Sequence, residues 1–294
     1  MSTIRRVCPA KVNLYLKVLG RRPDGYHEMV TVMQPLTLAD ELLVSRAAGG
    51  VSLICDHPGL PQGPENLVWR AAQLFFDALG TYPGVHLTLN KHIPVAGGLG
   101  GGSSDAAGTL LALNTLLGHP LDQGQLHGLA ARLGADVPFF LGTGPAVARG
   151  VGDRLSPLKL PPYWYILANP GLTLSTRWVY ENLVLAELEG REVLDPSRLD
   201  PGEPALWVHN DLETVSLKHY PEIQGLLDLL QQVGARARGM SGSGPTVFGI
   251  FADRDSAWEA AQRLKKSFTG QLWVTRGLTG GERNTAWEKE IWTV

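Results

Sequence analysis

The 294-residue sequence predicts an α+β protein of two domains. Three observations lead there. The length exceeds one ordinary core, at roughly 150 residues per domain. The first half alternates strand-like and helix-like segments around a glycine-rich stretch. The second half closes on "PTVFGIF", "DSAWEAAQRLKKSF" and "QLWVTRGL" (245–278), a strand–helix–strand passage that fits a sheet backed by helices. Residues 150–162, "GVGDRLSPLKLPP", are rich in Gly and Pro and mark the boundary, so the domains are drawn as 1–155 and 156–294.

Taken in order, "AKVNLYLKVL" (10–19) alternates as a strand does, with Asn13, Tyr15 and Lys17 on one face and Val12, Leu14 and Leu16 on the other. Residues 28–38 and 41–47 read as two further strands of a hairpin or meander. "LVWRAAQLFFDAL" (67–79) has helical periodicity, with Asn66 as N-cap and Gly80 as terminator. "GVHLTLNKHI" (84–93) alternates again. A helix over about 104–117 places Ala107, Leu110, Leu111 and Asn114 on one face, and another spans about 123–133, stopped by Gly134. In the second half a strand at 163–169, helices near 177–189 and 221–233, and the closing passage are expected. The tail after residue 280 yields no reading.

Composition narrows the function. Apolar residues make up 44% and charged residues 18%, the balance of a globular protein, and the net charge of −2 gives no electrostatic case for nucleic acid or an anionic membrane. No window approaches the ~18 apolar residues of a membrane span, and Lys11, Asn13 and Lys17 interrupt what would otherwise be a signal-peptide core. Two cysteines, Cys8 and Cys55, suit neither a disulfide framework nor a metal cluster. A cytoplasmic protein with reduced thiols and a small-molecule partner is expected.

The stretch "PVAGGLGGGSSDAAGTL" (94–110) carries the chemistry. Five glycines between 97 and 102 cost conformational entropy, so something must be gained there. The order strand, glycine loop, helix is an anion site. Unpaired N–H groups and a macrodipole worth about half a charge favour a phosphate at the helix start. Glycines allow close backbone approach, and Ser103 and Ser104 add hydroxyl donors. No Lys-Ser/Thr pair comes after them, which excludes a Walker A loop. The third glycine of the dinucleotide fingerprint and its acidic partner are absent. So are the His-Arg-Asp and Asp-Phe-Gly marks of protein kinases.

These residues resemble the ATP-phosphate motif of the galactokinase, homoserine kinase, mevalonate kinase and phosphomevalonate kinase (GHMP) superfamily. Two more stretches agree: "CPAKVNLYL" (8–16) with its first motif and "GMSGSGPTVFGIF" (239–251) with its third. The resemblance runs from about residue 7 to 278. It implies the α+β two-domain GHMP kinase fold, with an N-terminal ribosomal-S5-like α/β domain and a C-terminal ferredoxin-like α+β domain. It also implies ATP as phosphoryl donor with Mg²⁺, whose ligands are not read from the sequence. "RRPDGYHEMVTVMQPL" (21–36), with "ENLVWRAAQLF" and "NPGLTLSTRWVY", further resembles one branch of the superfamily, in which the acceptor is a cytidine diphosphate-linked methylerythritol of isoprenoid precursor biosynthesis.

The resemblance assigns roles residue by residue. Pro94, Val95, Ala96, Gly97, Gly98, Leu99, Gly100, Gly101, Gly102, Ser103 and Ser104 would bind ATP, with Asn66 nearby. Lys11 and Asp136 would be the catalytic pair. Asn13, Tyr26, His27, Thr176 and Tyr180 would contact the acceptor, His27 at the cytosine edge, Tyr26 lining the same pocket and Tyr180 over the base's other face. The residues alone leave plainer roles open. Asp136, two before Pro138, suits a helix cap; Asn66 suits a cap equally; a strand lysine such as Lys11 usually faces solvent; a helical Tyr180 suits the core. Two positions depart from the family pattern. Ala96 replaces a common third glycine and would be strained at positive φ. Asp105 replaces a common Asn, and a carboxylate beside polyphosphate is unfavourable unless it caps the helix or faces Mg²⁺.

Overall fold

The computed structural model describes residues 3–188, 193–281 and 292–293. The chain divides into two compact units. One comprises Met1–Ala10, Ala39–Val95 and Gly100–Gly142, the other Lys11–Leu38, Ala96–Leu99 and Thr143–Val294. The expected boundary at 155/156 falls inside the second unit. Two long strands, β1 (Thr3–Arg21) and β2 (His27–Arg46), lie side by side and contribute residues to both units.

In the first unit the C-terminal half of β2 pairs antiparallel with β4 (Val85–Asn90), Glu41 opposite Asn90 and Arg46 opposite Val85. β3 (Val51–Cys55) runs parallel on the other side of β4. Three helices pack with one another: α1 (Leu67–Leu79), α2 (Gly101–Leu116) and α3 (Gln123–Leu133). α1 buries Val68, Ala71, Ala72, Phe75 and Phe76, an i, i+3, i+4, i+7, i+8 stripe. Asn66 Oδ1 accepts from the Val68 N–H at its start, and Gly80 ends it at φ 64°. α3 opens on a reciprocal pair, Asp122 accepting from Gln125 N and Gln125 accepting from Asp122 N.

In the second unit the start of β2 pairs with β5 (Ala146–Gly150), which pairs with β6 (Arg154–Pro157). β1 pairs in parallel with the short β8 (His209–Asn210). A separate five-stranded sheet has the order β12-β11-β7-β10-β9. Its strands are β7 (Trp164–Asn169), β9 (Ala237–Met240), β10 (Val247–Phe251), β11 (Gln271–Arg276) and β12 (Trp292–Thr293), all antiparallel. α4 (Thr176–Glu181), α5 (Glu213–His219), α6 (Pro221–Gln232) and α7 (Arg254–Leu264) complete the unit. Leu226, Leu230, Val247, Phe251, Ala257, Ala261 and Val274 form the heart of its core. This is the expected sheet backed by helices.

Four expectations are corrected. The two strands expected at 28–38 and 41–47 are one, β2, with the polar residues at and just before the expected break bonded in place. Thr37 Oγ1 lies 2.9 Å from Thr275 Oγ1, and Asp40 accepts from the backbone of residues 92 and 93. α2 begins at Gly101, so Gly101 and Gly102 are helix, not loop. It is buried nearly all round, not on one face, while Leu111 is only partly covered. The helix expected at 177–189 stops at Glu181, where Asn182 donates its amide to the Trp178 carbonyl, and residue 189 lies outside the described residues. α5 was not anticipated at all. Its apolar positions are too few for a periodic signal. Among the described residues, no helix is long and apolar enough to cross a membrane.

Candidate active site

β4 delivers the chain into the first glycine loop. Asp40 Oδ1 accepts from His92 N (2.6 Å) and Ile93 N (2.8 Å), which turns the backbone just before Pro94. Val95 is exposed, and beyond it Ala96, Gly98 and Gly100 hold φ of 56°, 75° and 72°. The sequence expectation for Ala96 is therefore met: a methyl-bearing residue stands in the left-handed region, at about 1–2 kcal/mol. Gly100 occupies the cap position of α2 and supplies no capping side chain. The first N–H groups of a 16-residue helix thus keep their donor capacity for an anion. Ser104 Oγ is buried there without a hydrogen-bond partner among the described residues.

The second glycine loop, Ser241–Gly244 between β9 and β10, meets the middle of the first within the second unit. A Cβ on Gly98 would lie 2.2 Å from the Ser241 carbonyl oxygen, so no other residue fits. Ser241 Oγ donates to the Gly98 carbonyl at 2.9 Å, and Gly242 turns at φ 58°. β1 forms the floor beside them. Lys11 N donates to the Leu99 carbonyl at 2.9 Å, and Asn13 N donates to Ser241 Oγ at 3.3 Å. Lys11 and Asn13 share a strand face as expected: Lys11 Nζ donates to Asn13 Oδ1, and Asn13 Nδ2 donates to Thr31 Oγ1 at 2.9 Å. The solvent-facing reading of Lys11 is overturned, because its side chain is only 3% exposed.

The Asp-Gly-Tyr-His turn is built from its own polar groups. Tyr26 O accepts from Arg22 N at 2.7 Å, Tyr26 N donates to Asp24, and Gly25 sits at φ 88°. Arg22 pairs with Asp24 and Glu28, and Arg154 with Glu28. The turn leaves Tyr26 65% exposed but buries His27, whose ring stacks on Tyr180 with centroids 5.2 Å apart and 29° between planes. Burial, helped by the Arg21 charge, holds the His27 imidazole below its ordinary pKa. Tyr180 also packs at the edge of the second unit's core, so both of its readings have a physical basis. Thr176, the first residue of α4, places Oγ1 2.9 Å from Ser243 Oγ on the second glycine loop.

Three residues of the first unit remain. The cap position of the turn at Pro138–Leu141 is Val137, so Asp136 does not take the cap role that its spacing suggests. It is half-buried. Asn66 does cap α1, and its Nδ2 donates to the Pro61 carbonyl at 2.8 Å. Asp105 neither caps α2 nor faces solvent: its buried carboxylate accepts from Lys91 Nζ at 2.7 Å, a partner fourteen residues away that periodicity does not reveal. Burial and the neighbouring Asp40 push the Asp105 carboxyl well above the usual range. Sequence reasoning named neither Ser241 nor Lys91. Only the Ser-Gly-Ser pattern of the second loop signalled the first of them.

Comparisons with known proteins bear on this arrangement. The family model of the GHMP kinases N terminal domain matches residues 66–144, and that of the GHMP kinases C terminal domain matches 194–270. A 4-diphosphocytidyl-2-C-methyl-D-erythritol kinase from Syntrophus aciditrophicus is 47% identical over 279 residues, 94% of this chain and 99% of that protein. The chain belongs to the GHMP kinases. Another relative of the same name, from Geobacter metallireducens, is 42% identical over 95% of this chain and 100% of its own. The crystal structure of a 4-(cytidine 5'-diphospho)-2C-methyl-D-erythritol kinase superposes with a TM-score of 0.82 at 41% identity, covering 95% of this chain and 100% of that one. A homoserine kinase from Cytophaga hutchinsonii, at 20% identity and a TM-score of 0.75, shares the fold. The fold is thus the two-domain α+β fold of the GHMP kinases, and the chain is an ATP-dependent phosphotransferase of that family.

Proposed function

We propose that this GHMP kinase transfers the γ-phosphate of ATP to the 2-hydroxyl of 4-diphosphocytidyl-2-C-methyl-D-erythritol, in the non-mevalonate route to isoprenoid precursors. The observation that carries the reading is the junction of the two glycine loops over Lys11 and Asn13, in a chain whose relatives at 41–47% identity share one name. Phosphoryl transfer needs little covalent chemistry from a protein beyond positioning and charge neutralisation. The loop of Pro94–Gly100 and the first turn of α2 cradle the phosphates with backbone N–H groups, and Ser103 and Ser104 add hydroxyls.

In this reading Lys11 and Asp136 are the catalytic residues, and Asn13 and Thr176 contact the acceptor. Asp136 accepts the hydroxyl proton as the phosphoryl group departs from ATP. The Lys11 ammonium stabilises developing alkoxide charge, so orientation and electrostatics carry much of the catalysis. The neutral His27 reads the cytosine edge, Tyr180 covers the ring, and Tyr26 lines the same pocket. Stacking of this kind contributes roughly 1–3 kcal/mol per base. Asn66 stands near the nucleotide while keeping its cap.

Mg²⁺ belongs to the reading as the counter-ion of ATP, where it neutralises phosphate charge. Mg²⁺ in kinases is usually held by one or two carboxylates and the substrate phosphates, and among the described residues no group of three or more His, Cys, Asp or Glu side chains forms a cluster. The domain division at 155/156 is kept, since the two family matches fall on either side of it. A cytoplasmic location is supported by the two buried, free cysteines. The test is the pair Asp136→Asn and Lys11→Ala. Each is expected to lower turnover about 10²–10⁴-fold while ATP still binds within a few-fold of the parent. Parental turnover in both variants would contradict the mechanism.

A further inference from the structure

Beneath the first glycine loop lies a buried cluster that no role assigned above uses. Lys91 comes directly after β4, and its ammonium is bonded to Asp40 of β2 and to Asp105, the fifth residue of α2. The side chains of Lys91, Asp40 and Asp105 are 5%, 0% and 3% exposed. Asp40 uses its other oxygen to hold the N–H groups of His92 and Ile93, and Lys91 N donates to Asp56 at 2.9 Å. One end of the cluster therefore grips the entrance of the loop and the other grips its exit. A Cβ on Gly101 would lie 3.3 Å from Lys91 Nζ and 3.2 Å from Ile93 Cγ2, so the ammonium sits directly against the start of α2.

The loop needs such a fastening. Between Ile93 and Gly101 run seven residues, three of them at positive φ including the strained Ala96. Nothing in such a segment's own propensity selects one shape, and a phosphate cradle gains only from N–H groups already in position. An ammonium at a helix N-terminus also opposes the macrodipole, and the Asp40 carboxylate beside it offsets that cost. A buried charge triad is weak evidence for stability alone, because desolvation offsets much of the attraction. Its value lies in the geometry it imposes.

We infer that Lys91, clamped between Asp40 and Asp105, is a positioning residue for ATP: it fixes the separation of the two ends of the glycine loop and so presents the loop to the triphosphate. The inference rests on the reading of residues 94–104 as the phosphate site. It also explains Asp105 in place of the common Asn, as the exit-side half of the clamp.

The experiment measures ATP and acceptor kinetics for Lys91→Met, Asp105→Leu and Asp105→Asn, with far-UV circular dichroism and thermal melting as folding controls. Lys91→Met and Asp105→Leu are expected to raise the KM for ATP at least tenfold, with kcat within about threefold and the acceptor KM unchanged. Asp105→Asn keeps a hydrogen bond to Lys91 and should rescue the ATP KM to within about threefold of the parent. A folded Lys91→Met or Asp105→Leu variant with the parental ATP KM would overturn the clamp, as would equal shifts in both KM values, the mark of general damage. If Lys91→Met does not fold, Asp105→Leu is read in its place, and Asp105→Asn without rescue counts against the clamp. The parent assayed alongside separates the two layers: turnover that ignores ATP concentration would overturn the phosphate-site reading itself.

Discussion

Residues 94–102 hold five glycines and residues 239–244 hold three, yet the two loops use them for different ends. The first runs into a 16-residue helix through a left-handed Gly100 that brings no capping side chain, so backbone donors stay available at the helix start. The second joins β9 to β10 and opens no helix. Its Gly242 and Gly244 turn the backbone at φ 58° and 83°, bringing the loop close against Gly98, Asn13 and Lys11. Glycine content alone thus says little about anion binding. In the proposed reading the element into which the glycines lead decides it, a helix in one case and a strand in the other.

Substituting one glycine in each loop tests that distinction and carries the largest expected effect. Gly98→Ala would drive a methyl group into the Ser241 carbonyl, at a cost of about 2–5 kcal/mol in stability and roughly 10²-fold in kcat/KM for ATP. Gly242→Ala meets only side-chain atoms, Asn13 Oδ1 at 3.3 Å and Lys11 Nζ at 3.5 Å, apart from the Gly98 carbonyl at 3.5 Å. It should cost about 1–2 kcal/mol and lower kcat while leaving the ATP KM near the parental value. Urea unfolding and steady-state kinetics on both variants check this, and identical kinetic signatures would erase the distinction between the loops.

A smaller effect belongs to the aromatic pair. His27 is held below its ordinary pKa by burial, so the unfolded chain takes up its proton first as pH falls. The stability associated with the neutral ring is therefore present above about pH 6.5 and is lost as pH drops through the lower folded-state value. Acceptor binding should have the same sign. Its KM is expected to rise about tenfold per pH unit once His27 is protonated, and His27→Gln should flatten that limb. A KM that improves at low pH would refute the role of the neutral imidazole. The smallest effect is at Ala96, where glycine removes backbone strain but frees the unfolded chain. Ala96→Gly should stabilise by up to about 1 kcal/mol, read by thermal melting, whereas a clear loss of stability would mean that the alanine methyl makes a favourable contact of its own.

Much of this was legible because it is local. Asn66 and Gly80 bracket α1, Gly134 ends α3, and a strand–glycine–helix order marks the first loop, all within a few residues of one another. Lys11 and Asn13 on one face are a consequence of the period of a strand. What escaped depends on distant partners. Lys11 is buried because the loops that hold Leu99 and Ser241 close over β1, which no strand pattern announces. The continuity of β2 rests on Thr275 and on the backbone of residues 92 and 93, and Asp105 makes physical sense only once Lys91 is seen beside it. The short α4 and the unforeseen α5 are held by the core around them more than by their own periodicity.

The most direct test of the central claim monitors ADP release from ATP–Mg²⁺ with two acceptors, 4-diphosphocytidyl-2-C-methyl-D-erythritol and the same sugar phosphate without its cytidyl group. Turnover with the cytidyl compound alone is the predicted result, since the proposed function requires both a phosphate site at the glycine loop and a base site at His27 and Tyr180. Equal turnover with both acceptors, or with neither, would contradict the assignment of that substrate.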